Sequence, residues 1–116
     1  MRVGIARLRR VTGILQVTTA IDNEEAASAL AELAVRARLA ASAQVFGPVR
    51  SAFWHLGEFG TSVEWTAVLT TTQERYPQVE EFLLANHPWQ NPQITAVAVV
   101  AASAQCVAWA QRELAG

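Results

Sequence analysis

The sequence predicts an α+β protein in which helices cover an antiparallel sheet. Two observations lead to this prediction. Stretches rich in β-branched residues alternate with stretches of helical apolar periodicity, and the two middle strand segments follow each other with no helix between them. The chain has 116 residues, 52% of them hydrophobic and 16% charged, which suits one core. We therefore expect a short N-terminal extension, residues 1–10, and one folded domain, residues 11–116.

The first strand and the first helix follow the extension. "VTGILQVTTA" is rich in β-branched residues and stops at "DNEE", where Asp22 is the predicted N-cap and Glu25 closes a capping box. Helical spacing predicts one buried stripe on this helix. Its members are Ala26, Leu30, Leu33, Ala34 and Ala37.

The middle of the chain predicts a long β-hairpin. "SAQVFGPVRSAFWHLGEF" and "SVEWTAVLTTT" form its two strands, joined near Gly60. In the first strand Gly47, Pro48 and Gly57 predict a bend or a bulge.

A second helix, a strand and a third helix complete the prediction. Thr71 with Glu74 is the predicted cap of the second helix, which holds Pro77 in its first turn and ends before Pro88. "ITAVAVVAA" is the last strand, and Ser103 caps the last helix. The residues of that helix predicted to face inward are Val107, Ala110 and Leu114.

The resulting order, β-α-β-β-α-β plus a terminal helix, is the ferredoxin-like sandwich. It places the first and third strands at the centre of the sheet and the second and fourth at its edges. Both predicted edge strands are rich in apolar residues. Exposed apolar edges invite uncontrolled pairing, so the terminal helix or another copy of the chain must cover them, and we expect a homo-oligomer.

Composition excludes several classes of protein. The net charge of −1 gives no electrostatic footprint for nucleic acid, and the chain has no lysine for Schiff-base or P-loop chemistry. Cys106 is the single cysteine, which suits a reducing, cytoplasmic setting. The longest apolar run, Ile94 to Ala102, is too short to span a membrane, and "MRVGIARLRR" lacks the apolar segment of a signal peptide. No nucleophile elbow or glycine-rich phosphate loop occurs.

Three segments resemble the CutA family of divalent-cation tolerance proteins. They are "VTTAIDNEEAASALAELAVRARLAAS", "TTTQERYPQVEEFLLANHPWQNPQI" and "CVAWAQREL", in family order and covering about residues 13 to 114. The run from "ERYP" through "HPW" is the most specific part. The resemblance implies a homotrimer with the architecture of the PII signalling proteins, inter-subunit clefts, and a function in copper or divalent-cation tolerance.

The family's copper ligands carry over only in part. The resemblance associates copper with a cysteine on the first strand, the histidine of the "HP" motif and a glutamate after the second proline. Here those positions hold Thr18, His87 and Gln93. One imidazole with a hydroxyl and an amide is a poor set of ligands for copper or zinc. We therefore expect no resident cofactor, and at most weak binding of copper or another divalent cation at His87. The alternative for His87 is a structural one, at the end of a helix with its ring hydrogen-bonded nearby.

A second departure from the family lies in "FWHLGE". The family usually reads aromatic–aromatic–Trp–x–Gly–Lys here, whereas this chain has His55 in place of the tryptophan and Glu58 in place of the lysine. Another common lysine position is Thr70. His55 and Glu58 are candidate acid–base groups, which a bulge at Gly57 or a partner subunit would have to bring together, because residues i and i+3 of a strand face opposite ways.

Aromatic residues near these positions suggest a remodelled cleft for a small ligand. The candidate ligand-binding residues are Thr18, Phe53, Trp54, Trp89 and Gln93. Trp65 and Trp109 fit apolar periodicities and are expected to pack in the core or at an interface. Three functions stay open: a non-enzymatic tolerance trimer, an enzyme of cyclisation or isomerisation type, and a scaffold or sensor that binds a metabolite or protein. Whether the chain is an enzyme is left undecided by the sequence.

Overall fold

A computed structural model describes residues 12–115, so the predicted N-terminal extension, residues 1–10, lies outside the described residues. The elements follow the predicted order. They are β1 (Ile14–Ile21), α1 (Glu24–Arg36), β2 (Ser42–His55), β3 (Glu58–Thr72), α2 (Tyr76–Asn86), β4 (Thr95–Ala98) and α3 (Ala104–Leu114). None of the described helices is long and apolar enough to cross a membrane.

The sheet has the order β2-β3-β1-β4, and each neighbouring pair of strands is antiparallel. The predicted α+β ferredoxin-like fold is therefore confirmed, with β1 and β3 central and β2 and β4 at the edges. The β2–β3 hairpin is the longest feature of the sheet, with strands of 14 and 15 residues.

One face of the sheet carries the core. Val17 of β1 lies opposite Leu69 of β3, and both are almost fully buried. They pack with apolar residues of the first two helices, because alternate residues of a strand point to the same face. The buried cluster comprises Val17, Ile21, Ala27, Leu30, Ala31, Ala34, Ala40, Leu69, Val79 and Leu83.

The other side of the sheet, called the open face below, has a different composition. The register places on it, among others, Gln16, Thr18, Ala20, Ser42, Gln44, Phe46, Glu64, Thr66, Thr70, Thr95 and Val97. All of these residues are exposed or half-buried, and most are uncharged and polar. The open face is therefore a surface that can pack against another molecule with little loss of charge hydration.

Helix α1 begins one residue later than predicted and buries a stripe that shares Leu30 and Ala34 with the predicted one. Its N-cap is Asn23, whose Oδ1 accepts a hydrogen bond from the Ala26 N–H at 2.9 Å, so the predicted cap at Asp22 is wrong. Leu33 is 47% exposed. The buried stripe consists of Ala27, Leu30, Ala31 and Ala34. The helix is apolar on more than one side, and contact with the sheet decides which side is buried.

The hairpin turns at Leu56 and Gly57, not near Gly60 as predicted. Both turn residues have positive φ, 51° and 80°, which is the backbone of the tight turns that join strands of normal twist. The predicted bulge is present where Gly47 and Pro48 interrupt the register between Phe46 and Val49.

The ends of α2 and α3 match the prediction except at the start of α2. Thr71 does not cap α2, since it lies in β3 and donates its hydroxyl to the Leu39 carbonyl at 2.7 Å, and α2 begins at Tyr76 without a side-chain cap. Pro77 lies in the first turn of α2, and the helix ends before Pro88 as predicted. The Ser103 Oγ caps α3 by accepting from the Cys106 N–H at 3.1 Å. Strand β4 has four residues and is much shorter than the apolar run that contains it.

Candidate functional site

His87 lies at the C-terminal end of α2, with its ring almost buried at 8% exposure. Its Nε2 is 2.9 Å from the carbonyl oxygen of Ala20, and its Nδ1 is 3.0 Å from the backbone nitrogen of Trp89. A carbonyl oxygen only accepts and an amide N–H only donates. Therefore Nε2 carries the proton and the lone pair of Nδ1 receives the Trp89 N–H. Both ring nitrogens already have partners inside the chain.

The position of β4 explains why His87 bonds to Ala20. Strand β4 pairs with β1 only as far as the rung that joins Thr95 to Thr18, so the Ala20 carbonyl lies beyond the paired segment. The imidazole supplies the missing donor and fixes the chain as it leaves α2. The Trp89 ring lies against it, with centroids 5.1 Å apart and a tilt of 55°. The ring contact and the two hydrogen bonds hold this loop on the edge of the sheet.

The other two positions of the family's copper site offer neutral oxygens. Thr18 is half-buried on the open face, opposite Val68 on one side and Thr95 on the other. Gln93 is exposed in the segment that precedes β4. Among residues 12–115, no group of three or more His, Cys, Asp or Glu side chains is placed to hold a metal ion.

His55 and Glu58 lie directly opposite each other, because they flank the two turn residues. The predicted bulge at Gly57 is therefore not needed to bring them together, and the turn itself does so. Both side chains are exposed. Facing residues of an antiparallel pair have Cβ atoms about 5 Å apart, within reach of a hydrogen bond between an imidazole and a carboxylate.

The aromatic residues of the hairpin divide between its two faces. Phe53 shares a face with His55 and Glu58, and its ring covers Gly60, where an added Cβ would lie 2.8 Å from the phenyl Cε1. Trp54 points to the opposite face and is 74% exposed. There it meets Phe59 edge to face, with ring centroids 5.8 Å apart.

Within one chain the candidate residues do not form a single cleft. Phe53, His55 and Glu58 share the tip of the hairpin, Thr18 lies in the middle of the sheet, and the remaining candidates belong to the loop after α2 or to the far face of the hairpin. Trp65 is half-buried against the core cluster, as its periodicity predicts. Trp109 is half-buried and lines a groove near the end of α1.

One groove of the described chain lies elsewhere. It has a volume of about 550 Å³ and runs between α1 and β2, past Glu32, Val35, Arg36 and Val45. A second groove of about 380 Å³ continues from it toward Arg38 and Glu113. None of the candidate site residues lines either groove. Arg36 and Arg38 do not form a shared anion-binding site in these grooves, because the Arg38 guanidinium forms an ion pair with Glu113 at 2.9 Å.

A polar cluster on the open face of the hairpin was not predicted from the sequence. The Glu64 carboxylate accepts hydrogen bonds from the Ser51 Oγ at 3.0 Å and from the Ser62 Oγ at 2.6 Å. Ser51 and Ser62 face each other across the two strands. The position of the turn would have revealed this cluster. A turn at residues 56–57 fixes every pair of facing residues between the turn and the bulge, including Ser51 with Ser62.

An antiparallel four-stranded sheet in this strand order, with its helices packed on one face, defines a ferredoxin-like α+β protein. Within that class the chain belongs to the CutA1 family, because the family model described as CutA1 divalent ion tolerance protein matches residues 15–113. The divalent-cation tolerance protein CutA of Thermotoga maritima is 32% identical over 81 residues, which cover 70% of this chain and 79% of that protein.

Solved structures agree with the assignment of the fold. CutA1 from the psychrotrophic bacterium Shewanella sp. SIB1 superposes with a TM-score of 0.85 at 21% identity, covering 90% of this chain and 98% of that one. The protein described as the periplasmic divalent cation tolerance protein CutA of Archaeoglobus fulgidus superposes with a TM-score of 0.83 at 22% identity, covering 87% and 98%.

Proposed function

We propose that the protein is a homotrimeric divalent-cation tolerance protein in which His87 is a structural residue and direct metal binding is weak. The observation that supports this proposal is the hydrogen bonding of the His87 ring. A transition metal would need a lone pair of the imidazole, and the lone pair of Nδ1 accepts the Trp89 N–H at 3.0 Å. Metal binding at Nδ1 would break that bond and expose a ring that is now almost buried.

Calorimetry with Cu²⁺ and Zn²⁺ tests the metal part of the proposal. We expect no sub-micromolar binding to the wild-type protein. His87→Ala should lower the thermal stability, because the Ala20 carbonyl and the Trp89 N–H both lose their partner. Cys106→Ser is the matched control for the one thiol. Sub-micromolar Cu²⁺ binding that disappears in His87→Ala would refute the structural role.

The trimer is supported by the two unpaired edges of the sheet. The free edges belong to β2 and β4, which are different surfaces, so copies that join edge to edge make a head-to-tail contact. Such a contact builds a ring when its rotation closes, and three is the number of copies that the resemblance to the CutA family implies. All four residues of β4 are exposed in one chain. Sedimentation velocity at micromolar concentration should give a species of three chains, and a monomer would contradict this part of the proposal. A cytoplasmic location is proposed from the single free cysteine, although the Archaeoglobus fulgidus relative is described as periplasmic.

A second candidate function is an acid–base or ligand-binding site at the hairpin tip, completed by a neighbouring subunit. It is favoured by the direct pairing of His55 with Glu58, an imidazole and a carboxylate of the kind that serve as acid–base groups, beside the Phe53 ring. A thermal-shift screen of small organic molecules would find ligands, and turnover would then be measured for each. If His55→Ala leaves ligand affinity and turnover unchanged, this candidate is removed. Glu25→Gln, at an exposed carboxylate of α1, is the control.

A further inference from the structure

The open face carries one carboxylate that the fold holds in place. Glu64 accepts the hydroxyls of Ser51 and Ser62, one on each carboxylate oxygen. A carboxylate can accept about four hydrogen bonds, so about two remain available on Glu64. The side chain is half-buried, and among residues 12–115 no arginine forms an ion pair with it.

Apolar side chains flank this carboxylate on the same face. Val49 lies directly opposite Glu64, and Phe46 lies one rung toward the centre of the sheet, opposite Thr66. Phe46 therefore lies on the same face as Glu64, one rung or about 7 Å along the strand from it, on the side from which a cation would approach the carboxylate. The ring is 50% exposed and is free to cover a ligand.

This combination selects one kind of chemical group. A guanidinium group is planar, donates two parallel hydrogen bonds to a carboxylate, and stacks on an aromatic ring. A divalent metal ion fits poorly, because the serine hydroxyls direct their protons at the carboxylate and no group of three or more His, Cys, Asp or Glu side chains in residues 12–115 is placed to hold a metal ion. We propose that Glu64, oriented by Ser51 and Ser62 and flanked by Phe46, is a binding site for a guanidinium group.

The guanidinium group can come from a small molecule or from an arginine of another copy of the chain. Every basic side chain of this protein other than its two histidines is an arginine. Among the described arginines, Arg36 and Arg50 form no ion pair within residues 12–115. The site itself belongs to one chain, so it does not depend on the proposed trimer or on weak metal binding at His87.

Nuclear magnetic resonance titration of the wild-type protein tests the site. The probes are agmatine, which carries a guanidinium, and putrescine, which has the same carbon chain without it. We expect agmatine to shift the amide signals of Ser51, Ser62 and Glu64, and to bind roughly tenfold more tightly than putrescine. Glu64→Gln should weaken agmatine roughly 10- to 100-fold and Phe46→Leu should weaken it less, whereas Glu25→Gln, at an exposed carboxylate of α1, should leave it unchanged.

A second measurement distinguishes the sources. If an arginine of another copy fills the site, agmatine will not bind at low concentration. Instead, Glu64→Gln will weaken assembly, and Arg50→Gln or Arg36→Gln will weaken it without adding to the effect of Glu64→Gln. Sedimentation velocity measures the assembly of each variant. A wild-type monomer would contradict the proposed trimer, and the agmatine titration would still test the guanidinium site. The proposal is wrong if Glu64→Gln changes neither agmatine binding nor assembly, if putrescine binds as well as agmatine, or if Mg²⁺ or Ca²⁺ displaces agmatine through Glu64.

Discussion

Thr19 and Thr71 lie on the helix-facing side of the sheet and give a matched pair of mutations. Both are buried, at 2% and 0% exposure. The Thr71 hydroxyl donates to the Leu39 carbonyl at 2.7 Å, whereas the Thr19 hydroxyl is the one buried side-chain polar atom in residues 12–115 without a hydrogen-bond partner. Replacement of threonine by valine exchanges the hydroxyl for a methyl group of similar size, so the two positions should respond with opposite signs.

The magnitudes follow from the hydrogen bonding. A buried hydroxyl without a partner costs about 1–3 kcal/mol, and Thr19→Val removes that cost, so we expect the free energy of unfolding per chain to rise by about 1–2 kcal/mol. Thr71→Val loses a buried hydrogen bond and leaves the Leu39 carbonyl without its donor, so the free energy should fall by about 1–2 kcal/mol. For a chain of this size, 1 kcal/mol corresponds to about 4 °C in the unfolding temperature.

Scanning calorimetry at one fixed protein concentration measures both effects, since the concentration of an oligomer changes its apparent stability. The two variants should differ by roughly 8–16 °C, with the wild-type protein between them. If Thr19→Val is destabilised as much as Thr71→Val, the Thr19 hydroxyl has a partner and the reasoning fails.

Three other predictions concern the hairpin, the tyrosine and the last helix. Gly47→Ala should lower the free energy of unfolding by about 1–3 kcal/mol in calorimetry, because a Cβ there would overlap Cδ1 of the Trp65 ring. No loss of stability would mean that the indole can move freely. Burial, the hydrogen bond to Glu80 and the charge of Glu80 raise the pKa of Tyr76, the single tyrosine, above 10.0. Absorbance in an alkaline titration should therefore show a midpoint above pH 10.0. Glu80→Gln should lower this midpoint without bringing it down to 10.0, because burial still acts on the phenol. The folded state keeps the phenol protonated, so stability should fall as the pH rises above 10.0, and a midpoint at or below 10.0 would contradict the assignment. Arg75 donates from Nε and Nη2 to the last carbonyl of α3, so Arg75→Gln should speed hydrogen exchange in α3, and unchanged exchange would show that packing alone holds the helix.

Patterns of local sequence predicted the order of the elements and the topology of the sheet. They did so because apolar periodicity, proline and the Ser103 cap are local signals. They failed at α1, where Asn23 competes with Asp22 for the same capping role and where alanines on several sides leave the buried face undefined. The sheet settles that question, and no residue of the helix does.

The candidate site was less predictable because its contacts join distant parts of the chain. The partner of the His87 ring is 67 residues away in sequence, and the carboxylate of Glu64 meets Ser51 across a hairpin whose turn the sequence misplaced. A turn misplaced by a few residues changes every cross-strand neighbour. For the same reason the pairing of His55 with Glu58 was expected to need a bulge or a partner subunit, when a turn of two residues was enough.

The bulge at Gly47 and Pro48 changes which alternate residues of β2 lie on the open face. Before the bulge, even-numbered residues such as Gln44 lie on the open face; after it, odd-numbered residues such as Ser51 do. The core fixes one end of the strand and the turn fixes the other, and their alternations disagree by one residue. Deleting one residue of the bulge would force either the core or the tip to present its opposite side, whereas the present arrangement lets the sequence of the tip change while the core keeps its pattern.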